Sequence, residues 1–318
     1  MAETNTKEID LFIRYGSVAS EAMFDFPCYF FRIPNCIGTI AYRIEFKCAI
    51  IFGDPLCPPN ELIELTQAFH KHCQDSHLNV IYIAVSEKFA RLAQEYCHIS
   101  IEVCEELIFD PQINPIFKSR RLQHRMDKAI KHGLTFHEYI PVNEEIENAL
   151  LEVGMKWQKS KKGPSLYLGH LNFFENYQGK RWFYAKDKEN VTSMAMLSQL
   201  DAQQGWFLKF FFTLPDVFRE TSEFLMISLL TTLKNENCCF LSKGMAPMDS
   251  IGEIKGLERS STLIKYVYKA ISFIFKFKLR KQYWQRYYPQ KAPAYVLFSN
   301  SKIGLNEIRA LFKVLKMD

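Results

Sequence analysis

The sequence predicts an α/β (α+β) protein made of two copies of one unit, each a mixed, mostly antiparallel sheet flanked by helices. Three observations carry this. Short apolar runs that fit buried strands alternate with longer stretches of helical period. In the first half, paired strands precede a helix, a strand and a further helix, and the same order recurs in the second half. The 318 residues, 48% apolar and 14% aromatic, suffice for two sizeable cores. The boundary falls near residue 140, giving units 1–140 and 141–318.

In the first unit, Thr39 to Gly53 reads as a pair of strands ending at Gly53-Asp54-Pro55. A helix follows, with Asn60 as its expected cap. NVIYIAV is a short buried strand, and Ser86 caps the next helix. ISIEVCEELIFD is a strand, FKSRRLQHRMDKAIKHG a helix stopped by Gly133, and LTFHEYI a strand. The second unit opens with the helix NEEIENALLEVGMKWQKSK. Strands RWFYAKD, VTSMAMLSQL and GWFLKFFFTL come next, then the helix RETSEFLMISLLTTLKNEN. The run Cys238 to Leu241 reads as a buried strand, with Lys-Gly-Met-Ala-Pro as a tight, rigid loop at its exit. A helix over STLIKYVYKAISFIFKFKLR, the strand APAYVLFS and a last helix near GLNEIRALFKVL complete the chain.

The bulk numbers narrow the function classes. The N-terminal segment is polar and has no apolar core of a secretory signal, and no run reaches the roughly 18 apolar residues of a spanning helix. A cytoplasmic chain is expected, soluble or at most peripheral to the inner face of the membrane. The nine cysteines form no CxxC pair, which suits reduced thiols. Net charge is +5, unevenly spread. Lys255 to Asp318 carries ten lysines and four arginines against three acids, a net of +11, leaving −6 for the rest. Such a basic segment attracts polyanions: nucleic acid, phosphorylated ligands or anionic lipid.

No Walker loop, no GxGxxG after a strand and no nucleophile motif is present. The Arg/Gln-x-x-Gly-x-Gly loop that grips coenzyme A is missing too, which argues against a simple acetyl-CoA enzyme. His70, Cys73 and His77 share a helix face but lack a partner run, so an ordinary amphipathic helix is expected there. Arg121, Arg125 and Lys128 fall on one face of a strongly basic helix, either a solvated face or a groove for a phosphate-rich ligand. Lys265, Lys269, Ser272, Lys276 and Arg280 form one polar stripe on an otherwise apolar helix. In LRKQYWQRYYP, cations interleave with Tyr283, Trp284, Tyr287 and Tyr288, a pattern suited to phosphate contact plus ring stacking.

In order, these residues resemble the soluble C-terminal transferase domain of lysyl-phosphatidylglycerol synthase, the multiple peptide resistance factor family, and its stand-alone relatives. The likeness runs from about Ile40 to Phe298. Its landmarks are Gly53-Asp54-Pro55; Cys104-Glu105-Glu106, where the family has Gly-Glu-Glu; the basic helix from Leu122 to Phe136; Lys243-Gly244-Met245-Ala246-Pro247-Met248; and Tyr287-Tyr288-Pro289. Two departures stand out. Trp284 occupies the place of a family Lys, and Gln123 that of an Arg.

The resemblance implies two tandem acetyltransferase-like (GNAT) units. It also implies transfer of an aminoacyl group from a charged tRNA to a lipid hydroxyl such as that of phosphatidylglycerol, with no cofactor. The implied partners are aminoacyl-tRNA and an anionic phospholipid surface. Alternatives are an acyl-CoA enzyme on the same double fold and a non-catalytic binder of tRNA or membrane. The expected acids, to hold an ammonium or act as base, are Asp216, Glu223 and Asp249. The expected binding residues are Lys243, Gly244, Met245, Arg280, Lys281, Arg286, Arg125 and Lys128. Asp54, Glu105 and Glu106 are expected to order the first unit.

Overall fold

A computed structural model describes residues 6–113, 115–141, 143–160, 173–174, 176–248, 250–257 and 282–315. Helix α1 (Thr6–Tyr15) leads through a 3-10 turn (Ser20–Phe24) to strands β1 (Tyr29–Phe31), β2 (Ile40–Glu45) and β3 (Cys48–Phe52). Then come α2 (Leu62–Asp75), β4 (Asn79–Ser86), α3 (Glu87–Leu92) and β5 (Ile99–Phe109). After a second 3-10 turn (Pro115–Lys118) follow α4 (Arg120–His132), β6 (Leu134–Tyr139) and α5 (Glu144–Ser160). The rest is β7 (Lys180–Asp187), β8 (Asn190–Leu200), β9 (Gly205–Thr213), α6 (Thr221–Asn235), β10 (Leu241–Pro247), β11 (Ile254–Lys255), β12 (Gln290–Phe298) and α7 (Leu305–Val314). The expected helix over 261–280 lies outside the described residues.

The strands form one sheet in the order β1-β2-β3-β4-β12-β5-β10-β9-β8-β7-β6, with β11 beside β5. This is the mixed, mostly antiparallel sheet that the sequence predicts. Its parallel contacts are β3 with β4 and β9 with β10. Each joins a strand, a crossover helix (α2 or α6) and a second strand, so the same unit occurs twice. We propose 1–140 and 141–318 as the two units in chain order. In space they interlock: β12, from the second, lies between β4 and β5 of the first.

Burial on both faces explains the near-continuous apolar strands. Ala49, Ile51, Val80 and Tyr82 pack under α2 and α3, while Cys48, Ile50, Ile81 and Ile83 pack on the opposite face with Ala310 and Val314 of α7. Likewise Ala195 and Leu197 meet the inner face of α6, and Met194 and Met196 meet Leu150 and Val153 of α5.

Local signals meet mixed fates. Ser86 caps α3 by accepting from the Phe89 amide at 3.1 Å, and Gly133 ends α4 at φ +96°. Asn60 does not cap α2. The helix starts at Leu62 behind Glu61, whose carboxylate accepts instead from the amides of Ile37 and Gly38. The expected strand and loop after residue 237 are also displaced. Cys238 to Phe240 are not strand, and β10 begins at Leu241 and carries Lys-Gly-Met-Ala-Pro within it. Those residues are strand because β5 pairs with them from Leu241 to Pro247.

Helix α7 is fastened by Glu307, 3% exposed, which accepts from Asn79 Nδ2 (2.8 Å), Asn300 Nδ2 (2.9 Å) and the Gly304 amide (3.0 Å). Glu307→Ala would orphan three donors and is expected to lower the unfolding free energy by about 2 kcal/mol. Urea denaturation reads this; a loss within about 0.5 kcal/mol would mean that water replaces the carboxylate freely.

Candidate functional site

The candidate site lies where β9 and β10 part. The two strands pair in parallel only at Leu241 with Trp206 and Ser242 with Phe207. Just beyond, each strand carries a bulge. In β9 the pairing to β8 skips Lys209, and in β10 the pairing to β5 skips Lys243. A bulge adds an unpaired residue and re-aims its side chain. Gly244 follows at φ +98°, and a Cβ there would stand 3.2 Å from Phe207, so this position favours glycine.

Both bulge residues are lysines, in opposite surroundings. Lys243 Nζ donates to the Leu208 carbonyl across the parting (3.2 Å) and sits 5.2 Å from the ring centre of Trp284. Burial lowers its pKa to about 8. Lys209 Nζ lies 2.9 Å from Glu21 and 3.5 Å from Asp25, both buried on the first 3-10 turn or just after it. Ser198 Oγ donates to the same Glu21 oxygen at 3.1 Å. Burial pulls the Lys209 pKa down, but the two carboxylates outweigh it and leave it raised.

One wall is aromatic and cationic. The helical turn 282–285 sets Trp284 against Phe211 (5.4 Å) and Phe109 (6.3 Å), with Tyr283 and Tyr287 behind. Burial raises the pKa of both tyrosines. Arg286 lies 4.5 Å over the Tyr283 ring and reaches Glu223 at 2.5 Å. Arg125 of α4 bonds the same Glu223 oxygen, and Ser222 Oγ donates to the other at 3.0 Å. Glu223 is 1% exposed. It is therefore a buried anchor for two guanidiniums.

The structure thus brings together Lys243, Gly244, Glu223, Arg125 and Arg286. Met245 packs half-buried against the first unit's core, and Lys128 lies exposed on α4. Asp216 is elsewhere, in an open groove of about 820 Å³ shared with His132, Glu145, Lys156 and Asp187. Asp249, Arg280 and Lys281 lie outside the described residues. In the first unit, Asp54 accepts from the Ser86 amide (2.9 Å) and hydroxyl (2.6 Å), and Glu105 pairs with Lys291 at 3.0 Å. Glu106 takes a hydrogen bond from Ser242, and burial together with the Asp54 charge raises its pKa.

Sequence reasoning missed Glu21, Asp25 and Lys209. The available signal was Lys209 itself, a single charge inside the strand GWFLKFFFT. Burial pushes Cys48, Cys57, Cys73, Cys97 and Cys104 up to about 12, so none of these thiols is a ready nucleophile at neutral pH. Among the described residues no helix is long and apolar enough to cross a membrane, and no cluster of metal-ligating side chains occurs.

Two strand–helix–parallel-strand units sharing one sheet, with a cationic parting in the second, define a tandem acyltransferase-like fold. Residues 11–298 match the family described as phosphatidylglycerol lysyltransferase, C-terminal, and the chain belongs to it. It is 21% identical over 310 residues to the phosphatidylglycerol lysyltransferase of Staphylococcus aureus strain COL, covering 95% of this chain and 36% of that protein. The chain thus spans about a third of the length of the curated relatives it matches. Among solved structures, L-PGS from Bacillus licheniformis superposes with a TM-score of 0.80 at 17% identity, covering 99% of this chain and 98% of that one. The C-terminal domain of a putative lysylphosphatidylglycerol synthetase from Agrobacterium fabrum gives 0.69 at 16% identity, covering 91% and 88%.

The Lys243 environment has a measurable consequence. The folded protein releases this proton near pH 8, whereas the unfolded chain holds it to the ordinary lysine value of 10.5. Stability should therefore rise relative to Lys243→Met as pH climbs from about 8 to 10.5, and the difference should be flat below. Paired thermal denaturation across that range tests this; a constant difference would mean a solvated amine.

Proposed function

We propose that this chain moves an aminoacyl group from a charged tRNA onto a hydroxyl of phosphatidylglycerol, without a cofactor, at the inner face of a membrane. The observation that carries the reading is the parting of β9 and β10 under Lys243 and Trp284, in a chain that matches the lysyltransferase family over residues 11–298. Aminoacyl ester to lipid ester is close to an even exchange. The demands are alignment, proton transfer and stabilisation of the oxyanion.

Lys243 suits the proton transfer. As the free amine it would take the proton from the lipid hydroxyl while that oxygen attacks the ester carbonyl. As the bond to the ribose oxygen breaks, it would return the proton to that leaving oxygen. Arg125 and Arg286 suit the phosphate groups of either substrate, because Glu223 already holds both guanidiniums at one place. Lys128, Arg280 and Lys281 are the further candidates for the tRNA backbone, and Asp249 for the aminoacyl ammonium. Asp216 lines a different groove.

The test is transfer itself. Purified protein is incubated with tRNA charged with radiolabelled amino acids and with phosphatidylglycerol vesicles, and label is counted in the organic phase. Ribonuclease-sensitive label there is the expected outcome; label confined to water would overturn the acceptor. Arg286→Ala should lose about a hundredfold in rate or more while staying folded, since Glu223 keeps Arg125. Below pH 8 the rate should fall about tenfold per unit as Lys243 becomes protonated. A pH-independent rate would remove Lys243 from the proton transfer.

A further inference from the structure

Away from the parting of β9 and β10, three chain segments meet at an exposed tip. Phe117, in the 3-10 turn before α4, is 81% exposed, the most open large hydrophobic residue among those described. Ile113 (45%), four residues before Phe117, and Tyr288 (51%) are exposed as well. The grouping is set by contacts. Lys234, at the end of α6, holds its Nζ 5.7 Å from the Phe117 ring, and its carbonyl accepts from Gln112 Nε2 at 3.2 Å. Tyr288 Oη donates to the Lys118 carbonyl at 3.4 Å, and Lys118 Nζ stands 5.9 Å from the Tyr288 ring. Tyr288 also has φ +56°, an unfavourable conformation for a tyrosine, and its ring is nonetheless left half in solvent.

Charge surrounds these side chains. Lys234 lies against Phe117 and Lys118 against Tyr288, exposed Arg120 and Arg121 open the helix that follows at once, and that helix adds Lys128 and Lys131 against Asp127 alone. Apolar tips ringed by cations match the boundary of an anionic bilayer, where aromatic and aliphatic groups enter the headgroup layer and cations meet lipid phosphates. RNA suits the tip less well. Bases would stack on Phe117 and Tyr288, but Ile113 has no ring face to offer.

We propose that the chain seats on anionic membranes through Ile113, Phe117 and Tyr288, with Lys118, Arg120, Arg121 and Lys234 contacting lipid phosphates. The tip joins the candidate site directly. Tyr288 is two residues from Arg286, and Lys118 closes the turn just before α4, on which Arg125 lies five residues, about 7.5 Å, past the first residue Arg120. Seating here brings lipid headgroups to the arginine edge of the site, so the inference rests on the lipid-acceptor reading for its purpose but not for its test.

The experiment is flotation with phosphatidylcholine vesicles, with and without phosphatidylglycerol. Wild type should bind the anionic vesicles and release from them at high salt. Phe117→Ser, at an exposed position, should weaken that binding about tenfold. Arg121→Glu should weaken it further, and Phe312→Ser should leave it unchanged. Phe312 belongs to a separate exposed apolar stripe with Leu305 and Ile308 on α7, so loss of binding there instead would overturn the proposal. Unchanged binding of Phe117→Ser would also overturn it. So would loss of tRNA in a gel shift with vesicle binding intact, which would make the tip an RNA surface. Transfer to a short-chain phosphatidylglycerol dissolved as monomer separates the two readings. Phe117→Ser should match wild type there, and wild type that floats without transferring would leave the seat standing and the acceptor reading lost.

Discussion

The arrangement depends on one interruption in the sheet. Parallel strands β9 and β10 hydrogen-bond for two residue pairs and then separate. In a continuous ladder the Leu208 carbonyl would face a backbone amide of its neighbour. Here it receives the Lys243 amine. The interruption is stable because each strand keeps its outer partner: β8 holds β9, and β5 holds β10, through the bulges. A side chain is therefore delivered where a backbone group would have been, and the amine is desolvated because sheet surrounds it.

The interlocked strands account for that rigidity. β5 belongs to the first half of the chain, yet it pairs with β10 on one side and with β12 on the other. The candidate site is thus backed by strands from both units, and the first half's β4 and β5 are joined only through β12 of the second. The same exchange brings Glu105 beside Lys291 and Glu106 beside Ser242, so the first unit's acids contact residues of the second.

Much of the fold was legible because its signals are local. Ser86 and Gly133 act on their own turns, and buried strands such as CAIIF and NVIYIAVS show as apolar runs whatever their neighbours. What was illegible depends on distant partners. Asn60 has the right chemistry for a cap, but Glu61 and the 37–38 loop decide where α2 begins. Gly244 and Pro247 look like loop punctuation, but pairing with β5 makes them strand. Of the candidate site, Lys243, Arg125, Arg286 and Glu223 were readable as charges in unusual company. Their convergence, and Glu21 and Asp25 beneath Lys209, were not, since the bulge that turns Lys209 toward them is a property of register.

Lys209 and Lys243 show how position alone separates structure from chemistry. Both are bulge residues on adjacent strands, and both lose water. Lys209 meets two carboxylates, which more than offset its desolvation and fix it as an ammonium. Lys243 meets a carbonyl and an indole face, which favour the cation but carry no full negative charge, so desolvation prevails. A permanently charged lysine can hold a turn against a strand but cannot take up a proton. A lysine poised between charged and neutral can do both in succession. Trp284 sharpens this difference, because an acid in its place would return Lys243 to the state of Lys209. Replacing the ring with a second cation would push the Lys243 amine further toward neutrality. With an uncharged ring at 284, burial is left to decide the state of the Lys243 amine.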